Sequence, residues 1–412
     1  MDLFDTRHGE WRFSFGGQPV DSPQVRQRIV LTILVSCAGL LAATSMVAIA
    51  VHPEIDDREP SLIVASPQVL GGTPIEIVPT TIGTTTPDGT TPDTIVDEPF
   101  EYEFLDEFPG RGKILGVTTE RGFDADFDKF AATAGRQPNL IQVTAGWASD
   151  EYQPWFTKRI ANRGAMPVIS WEPWDSERES TVDQKRSEQP EYALARILDG
   201  DFDDYIDDWA ANLADWGEPV ALRFAHEMNG YWYPWAEGRN GNAAGTYVET
   251  WRYVHDRFDA LGADNVIWLW SPNVAYDGSN PLAPLYPGDD YVDWIGMVGY
   301  FGHGTAIPTR FPTFGELFEP TLDELELISN KPVLITETGA TETGGFKAEW
   351  ISHTIEAFLD SPRVMGFIWF NVDKETDWRV ASSPESAVAF QEVAADPRFV
   401  STGTVPASAL SR

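Results

Sequence analysis

Between residues 113 and 372 short apolar runs recur, each bounded by turn residues. They are Lys113–Thr119 (KILGVTT), Leu140–Trp147 (LIQVTAGW), Met166–Trp174 (MPVISWEPW) and Pro219–Met228 (PVALRFAHEM). Asn265–Asn273 (NVIWLWSPN), Val292–Tyr300 (VDWIGMVGY), Pro332–Ala340 (PVLITETGA) and Val364–Val372 (VMGFIWFNV) complete the set. These runs are nearly continuous rather than alternating, which is the pattern of parallel strands covered on both faces. Amphipathic helices are expected between most of them. In Phe202–Trp216 the residues Phe202, Tyr205, Ile206, Trp209, Leu213 and Trp216 recur at helical spacing. Further helices are predicted at Ala243–Leu261, Thr321–Ser329 and Phe346–Asp360. Eight β/α repeats in roughly 290 residues predict an α/β fold, a (β/α)8 TIM barrel, over residues 110–400. An open doubly wound sheet is the alternative, but no GxGxxG follows the first run.

The segment before the barrel reads differently. Ile29–Val51 is a run of 23 residues without a charge, long enough to cross a bilayer. Arg26 and Arg28 precede it, and Glu54, Asp56, Asp57 and Glu59 follow. Positive-inside logic makes residues 1–28 a cytoplasmic tail, residues 29–51 a single membrane-spanning anchor, and everything beyond extracellular. A cleaved signal sequence is the main alternative, with Ala48-Ile49-Ala50 as its cleavage site; a secreted protein would result. Leu34-Val35-Ser36-Cys37 also resembles a lipoprotein box, although a largely apolar stretch follows its cysteine. Residues 52–109 read as a disordered acidic linker rich in Thr and Pro, with eight threonines in Thr80–Thr94. Residues 401–412 form a C-terminal tail.

Composition narrows the partners. The chain has 412 residues, 29 Lys+Arg against 64 Asp+Glu, and a formal net charge of -35. Phosphate neutralisation needs clustered cations, so no nucleic-acid partner is expected. The lipid bilayer is expected as a partner through the N-terminal helix alone. The single cysteine excludes metal sites built on cysteine clusters and any internal disulfide. Asp199, Asp201 and Asp203 faintly resemble a calcium loop, but the sixth-place glycine and closing glutamate are missing. No metal and no cofactor are expected.

In a (β/α)8 barrel chemistry collects at the C-terminal ends of the strands. Those ends carry Trp147, Trp171-Glu172-Pro173-Trp174, His226-Glu227-Met228-Asn229, Ser271-Pro272-Asn273, Tyr300, Glu337 and Trp369-Phe370-Asn371. Carboxylates and indoles therefore converge at one mouth. Indoles present flat faces suited to the CH faces of pyranose rings, and paired carboxylates are what glycosidic cleavage needs. The partner so implied is a β-linked polysaccharide or oligosaccharide. Arg223 shares strand parity with Glu227 and should point into the barrel, where an unpaired charge is costly and a carboxylate partner is required.

The run RFAHEMNGYWYPW at Arg223–Trp235 and the run PVLITETG at Pro332–Gly339 resemble the two active-site signatures of glycoside hydrolase family 26, best known for endo-β-1,4-mannanases. The resemblance spans residues 110–395. It implies a retaining enzyme with Glu227 as acid/base and Glu337 as nucleophile, supported by His226, Tyr300 and Arg223. Trp369 matches a family tryptophan that floors the subsite beside the cleaved bond, and Asn229, Trp232 and Trp235, at or near the same strand end as Glu227, are further candidate sugar contacts. Retention predicts carboxyl groups about 5–5.5 Å apart. Family mannanases tend to carry a histidine after strand three, where this chain has Trp171-Glu172-Pro173-Trp174. That form is more similar to the mixed-linkage β-glucanase branch, so Glu172, with Trp171 and Trp174, becomes a candidate reader of the sugar's C2 position.

The expected function is a retaining endo-β-1,4-glycanase acting on β-mannan or mixed-linkage β-glucan. The alternatives are a non-catalytic glycan-binding protein of envelope assembly, or a transglycosylating enzyme of exopolysaccharide export.

Overall fold

The computed structural model describes residues 14–15, 18–19, 100, 102, 112–119, 124–148, 152–178, 186–302 and 307–401. The expected anchor at 29–51, its signal-sequence and lipoprotein alternatives, and most of the expected linker lie outside the described residues. Among the described residues no helix is long and apolar enough to cross a membrane. The chain divides into two units, residues 1–56 and 57–412. In the first, Ser14–Phe15 and Gln18–Pro19 pair as a minimal antiparallel hairpin.

In the second unit the eight apolar runs form eight strands: β1 Ile114–Thr119, β2 Leu140–Gly146, β3 Met166–Glu172, β4 Val220–Phe224, β5 Val266–Trp270, β6 Trp294–Phe301, β7 Val333–Ala340 and β8 Val364–Asn371. All are parallel to their neighbours, and β8 pairs with β1 to close the barrel. The helices are α1 Asp124–Ala134, α2 Pro154–Ala161, α3 Leu194–Leu198, α4 Asp203–Trp216, α5 Thr246–Ala260, α6 Phe314–Leu317, α7 Glu319–Glu326, α8 Lys347–Asp360 and α9 Pro384–Ala394. The helices predicted from spacing appear as α4, α5, α7 and α8. Between β5 and β6 there is only a short 3-10 turn, Ala283–Leu285. Pro272, Pro281, Pro284 and Pro287 fall in that stretch, and each removes a helical N–H donor.

Strand alternation separates two apolar layers. Ile114, Leu140, Val168, Ala221, Leu269, Leu334 and Ile368 fill the barrel interior. Leu115, Ile141, Ile169, Leu222, Phe224, Ile335 and Phe367 belong to the larger cluster shared with the helices. Toward the C-terminal ends the interior turns polar: Gln142, Ser170, Glu172, Arg223 and Thr336 are all buried there.

The same alternation corrects two expectations. On β3, Ser170 and Glu172 belong to the interior face, so Trp171 between them faces the helices. It packs against Trp209 of α4 and Phe258 of α5 and is fully buried. On β8, Trp369 likewise packs against Trp350 of α8 and Phe390 of α9. Both indoles are core residues of the barrel–helix interface, not sugar platforms. The acidic run at the start of α4 is committed to cations: Arg257 pairs with Asp203 at 2.8 Å and with Asp207 at 2.7 Å.

Candidate active site

Glu337 lies on β7 two residues beyond Ile335, whose side chain packs toward the helices. Perfect alternation would send Glu337 outward as well. The ladders on both sides of β7 slip by one residue here, between Met297 and Val298 on β6 and between Phe367 and Trp369 on β8. A bulge of this kind re-aims a side chain, and Glu337 faces the mouth. Arg223 of β4, fully buried, donates to Glu337 Oε1 and at 3.0 Å to Ser170 Oγ. Tyr300 of β6 donates its hydroxyl to Glu337 Oε2 at 2.7 Å, and Gln142 of β2 lies 3.4 Å from Oε1. Three donors, one of them a buried cation, thus converge on this carboxyl. The carboxylate partner that parity requires for Arg223 is Glu337.

Glu227 sits just beyond β4 in a backbone held out of the common regions. Ala225 has φ 42° and Glu227 φ 53°, conformations that cost energy for non-glycine residues and persist where surroundings hold them. The surroundings do so here. Ala225 N donates to Trp171 O at 3.1 Å, and Tyr247 Oη donates to Ala225 O at 3.1 Å. Trp235 Nε1 donates to His226 O at 2.7 Å, and Glu227 N donates to Ser271 O at 2.7 Å. Glu227 is 8% exposed, and its carboxyl meets Asn273 Nδ2 at 2.6 Å and Trp232 Nε1 at 2.8 Å. Burial first, and then the neighbouring Glu337 charge, push its pKa up to about 7, against the opposing effect of Arg223 and the two donors. A carboxyl still half protonated near neutrality is therefore paired with one that accepts from Arg223 and Tyr300.

The remaining predicted residues divide into lining and support. Trp232 is partly exposed and stacks on Tyr276, with ring centroids 5.9 Å apart. Glu172 is buried; its Oε2 accepts from Trp174 Nε1 at 2.7 Å and its Oε1 lies 3.8 Å from His226 Nε2. His226 also meets the Tyr233 hydroxyl at 3.2 Å. Burial, with the nearby cations of Arg223 and Lys374, holds its imidazole well below the usual histidine range, so it is neutral. Trp174 and Trp235 are buried against each other at 80° with centroids 5.6 Å apart, and they brace the loop rather than line it. Asn229 is buried too, and it acts through Asn273. Its Nδ2 donates to Asn273 O and its Oδ1 accepts from Asn273 N, both at 2.9 Å. Among the described residues no group of His, Cys, Asp and Glu side chains is arranged to hold a metal ion.

Several site residues escape the sequence pattern. Asn273 closes the fifth run and is visible as a strand end, yet its role as a Glu227 partner needs the fold. Gln142 is a lone amide inside an apolar run, a signal of an inward polar position. Trp378, in the loop after β8, packs on Tyr300 with centroids 5.0 Å apart. No strand-end rule finds it.

The comparisons with known proteins agree with this geometry. The sequence model described as Glycosyl hydrolase family 26 matches residues 159–340. Endoglucanase H of Acetivibrio thermocellus is 33% identical over 269 residues, covering 64% of this chain and 28% of that protein. A mannan endo-1,4-beta-mannosidase of Bacillus subtilis is 26% identical over 219 residues, covering 52% of this chain and 51% of that protein. The chain thus spans about half or less of the length of these curated relatives. The fold resembles that of the catalytic domain of a Bacillus sp. JAMB-750 endo-beta-1,4-mannanase, with TM-score 0.56 and 20% identity over 73% of this chain and 90% of that one. A barrel closed by eight parallel strands, two differently held glutamates at its mouth and a matching family sequence meet in one conclusion: the chain belongs to glycosyl hydrolase family 26.

Proposed function

We propose that the protein is a retaining endo-β-1,4-glycanase acting on mixed-linkage β-glucan ahead of β-mannan. The observation that carries the reading is the opposed environment of its two carboxyls. Glu227 is pushed up to about 7 by burial and by Glu337, whereas Glu337 accepts from Arg223, Tyr300 and Gln142. Environments that separate two carboxyls in this way assign an acid and a nucleophile.

The steps follow. Glu337, ionised, attacks the anomeric carbon and forms a glycosyl ester. Glu227 gives its proton to the departing glycosidic oxygen and is left as a carboxylate, stabilised by Asn273 and Trp232. Water then attacks the anomeric carbon, Glu227 takes its proton, and the Glu337 ester bond breaks. Arg223 and Tyr300 receive the returning charge on Glu337. Neutral His226 and Trp174 orient Glu172 toward a sugar hydroxyl.

Glucan is placed first for two reasons. Glu172 stands where a histidine is expected in family mannanases, and the relative matched at 33% identity is named an endoglucanase. The mannan-directed names of other relatives keep mannan as the second substrate. The apolar run 29–51 supports a tether that leaves the barrel outside the cell. Reducing-sugar release by the full chain from barley β-glucan, glucomannan, galactomannan and xylan tests the reading. Barley β-glucan is expected to be cleaved fastest; release from none of the four would contradict it.

A further inference from the structure

The aromatic side chains at the mouth fall into two sectors. Tyr300, Phe370 and Trp378 come from β6, β8 and the loop after β8, and they gather on the Glu337 side. Tyr300 meets Phe370 edge-on with centroids 5.8 Å apart and Trp378 at 5.0 Å. Tyr231, Trp232 and Tyr276 come from the loops after β4 and β5 and gather on the Glu227 side. Tyr231 meets Trp232 edge-on with centroids 5.3 Å apart, and Trp232 stacks on Tyr276 at 27°.

We infer that Tyr231 and Tyr276 extend Trp232 into a binding strip for the leaving-group side of the glycan, the sugars that depart when Glu227 delivers its proton. The inference rests on the proposed role of Glu227. The acid must sit beside the departing oxygen, and Trp232 Nε1 touches that acid at 2.8 Å. A surface that begins at the acid's own hydrogen-bond donor, and whose Tyr276 feels the Glu227 charge, underlies the departing chain rather than the covalently held sugar. Tyr231 is 56% exposed, with the Arg239 guanidinium 5.5 Å from its ring centroid. Its ring therefore offers a face at the outer end of the strip. Aromatic side chains of this kind give large contact area with few torsions to freeze.

The two loops are tied together before any ligand arrives. Asn229 and Asn273 exchange two hydrogen bonds of 2.9 Å, and Asn280 N donates to Asn229 O at 2.9 Å. Ser279 Oγ accepts from Tyr276 N at 3.2 Å. The strip is thus preorganised, which lowers the ordering cost of binding. Because water and an incoming sugar attack the same glycosyl-enzyme, a filled strip also favours transfer to a sugar acceptor.

The test compares wild type, Tyr231→Ala and Tyr276→Ala, each as the full chain, on substrates that share a glycone and differ in leaving group. Barley β-glucan is paired with nitrophenyl β-cellobioside, and glucomannan with nitrophenyl β-mannobioside. The strip predicts that loss of kcat/KM on the polymer exceeds loss on the aryl glycoside by about tenfold. It also predicts less transfer to added cello- or manno-oligosaccharide. Equal losses on the two members of a pair, or undiminished polymer hydrolysis, overturn the strip while leaving the hydrolase reading intact. A wild type inactive on all four substrates overturns both.

Discussion

Asn273 Nδ2 donates to Glu227 Oε1 at 2.6 Å, and this contact opposes the burial that raises the Glu227 pKa. With Glu227 as the proposed acid, kcat/KM should fall as pH rises through about 7, where it loses its proton. Asn273→Ala removes a donor that favours the charged form. The basic limb of the kcat/KM profile should therefore move to higher pH, with lower kcat at the optimum. A limb that stays in place or moves down would show that the contact does not tune the acid.

Gly230 lets the Trp232 indole fold back over the backbone. A methyl group there would lie 2.6–2.7 Å from three atoms of the indole ring. Gly230→Ala should swing Trp232 away from Glu227, lower kcat/KM about tenfold and also raise the basic limb, since a second donor is lost. A pH profile identical to wild type would separate Trp232 from the acid.

Arg223 is fully buried against Glu337 and Ser170. Arg223→Met leaves the Glu337 carboxylate without its cation, and breaking such a pair costs about 3 kcal/mol of stability. Thermal unfolding should report that loss, and kcat should fall by at least about a hundredfold. The Glu227 limb should rise, because Arg223 holds that pKa down. Unchanged unfolding would mean that the pair contributes nothing net.

The barrel was legible in the sequence because parallel strands buried on both faces leave long apolar runs, and eight of them are conspicuous. The two glutamates proposed as acid and nucleophile stand out in the sequence because both lie at run ends and in extended motifs. What the sequence pattern misassigned follows from geometry it does not carry. A run such as SWEPW presents Trp171 and Glu172 side by side, but the pleat sends one to the helices and the other to the mouth. At Glu337 the pattern errs in the opposite sense: strict alternation would bury the carboxylate among the helices, and only the slip in β7 turns it inward. Trp378 was missed because a loop, not a strand, delivers it.

Trp171 and Trp369 separate the two explanations for the abundant indoles. Trp171→Phe and Trp369→Phe should each lower stability by about 1–3 kcal/mol through the cavity left behind, with KM for the glycan unchanged. Trp232→Ala should raise KM and lower kcat with a smaller change in unfolding temperature. A raised KM in Trp369→Phe would return that residue to the sugar site.

The most direct measurement is mechanism-based trapping of the glycosyl-enzyme. An activated 2-deoxy-2-fluoro β-glycoside, matched to the preferred glycan, slows hydrolysis of the covalent intermediate. Peptide mapping should then find one sugar esterified to Glu337, in the peptide spanning Val333–Ala340, and no label in Glu337→Ala. A label on Glu227, or inversion of the anomeric centre without any label, would contradict the assignment.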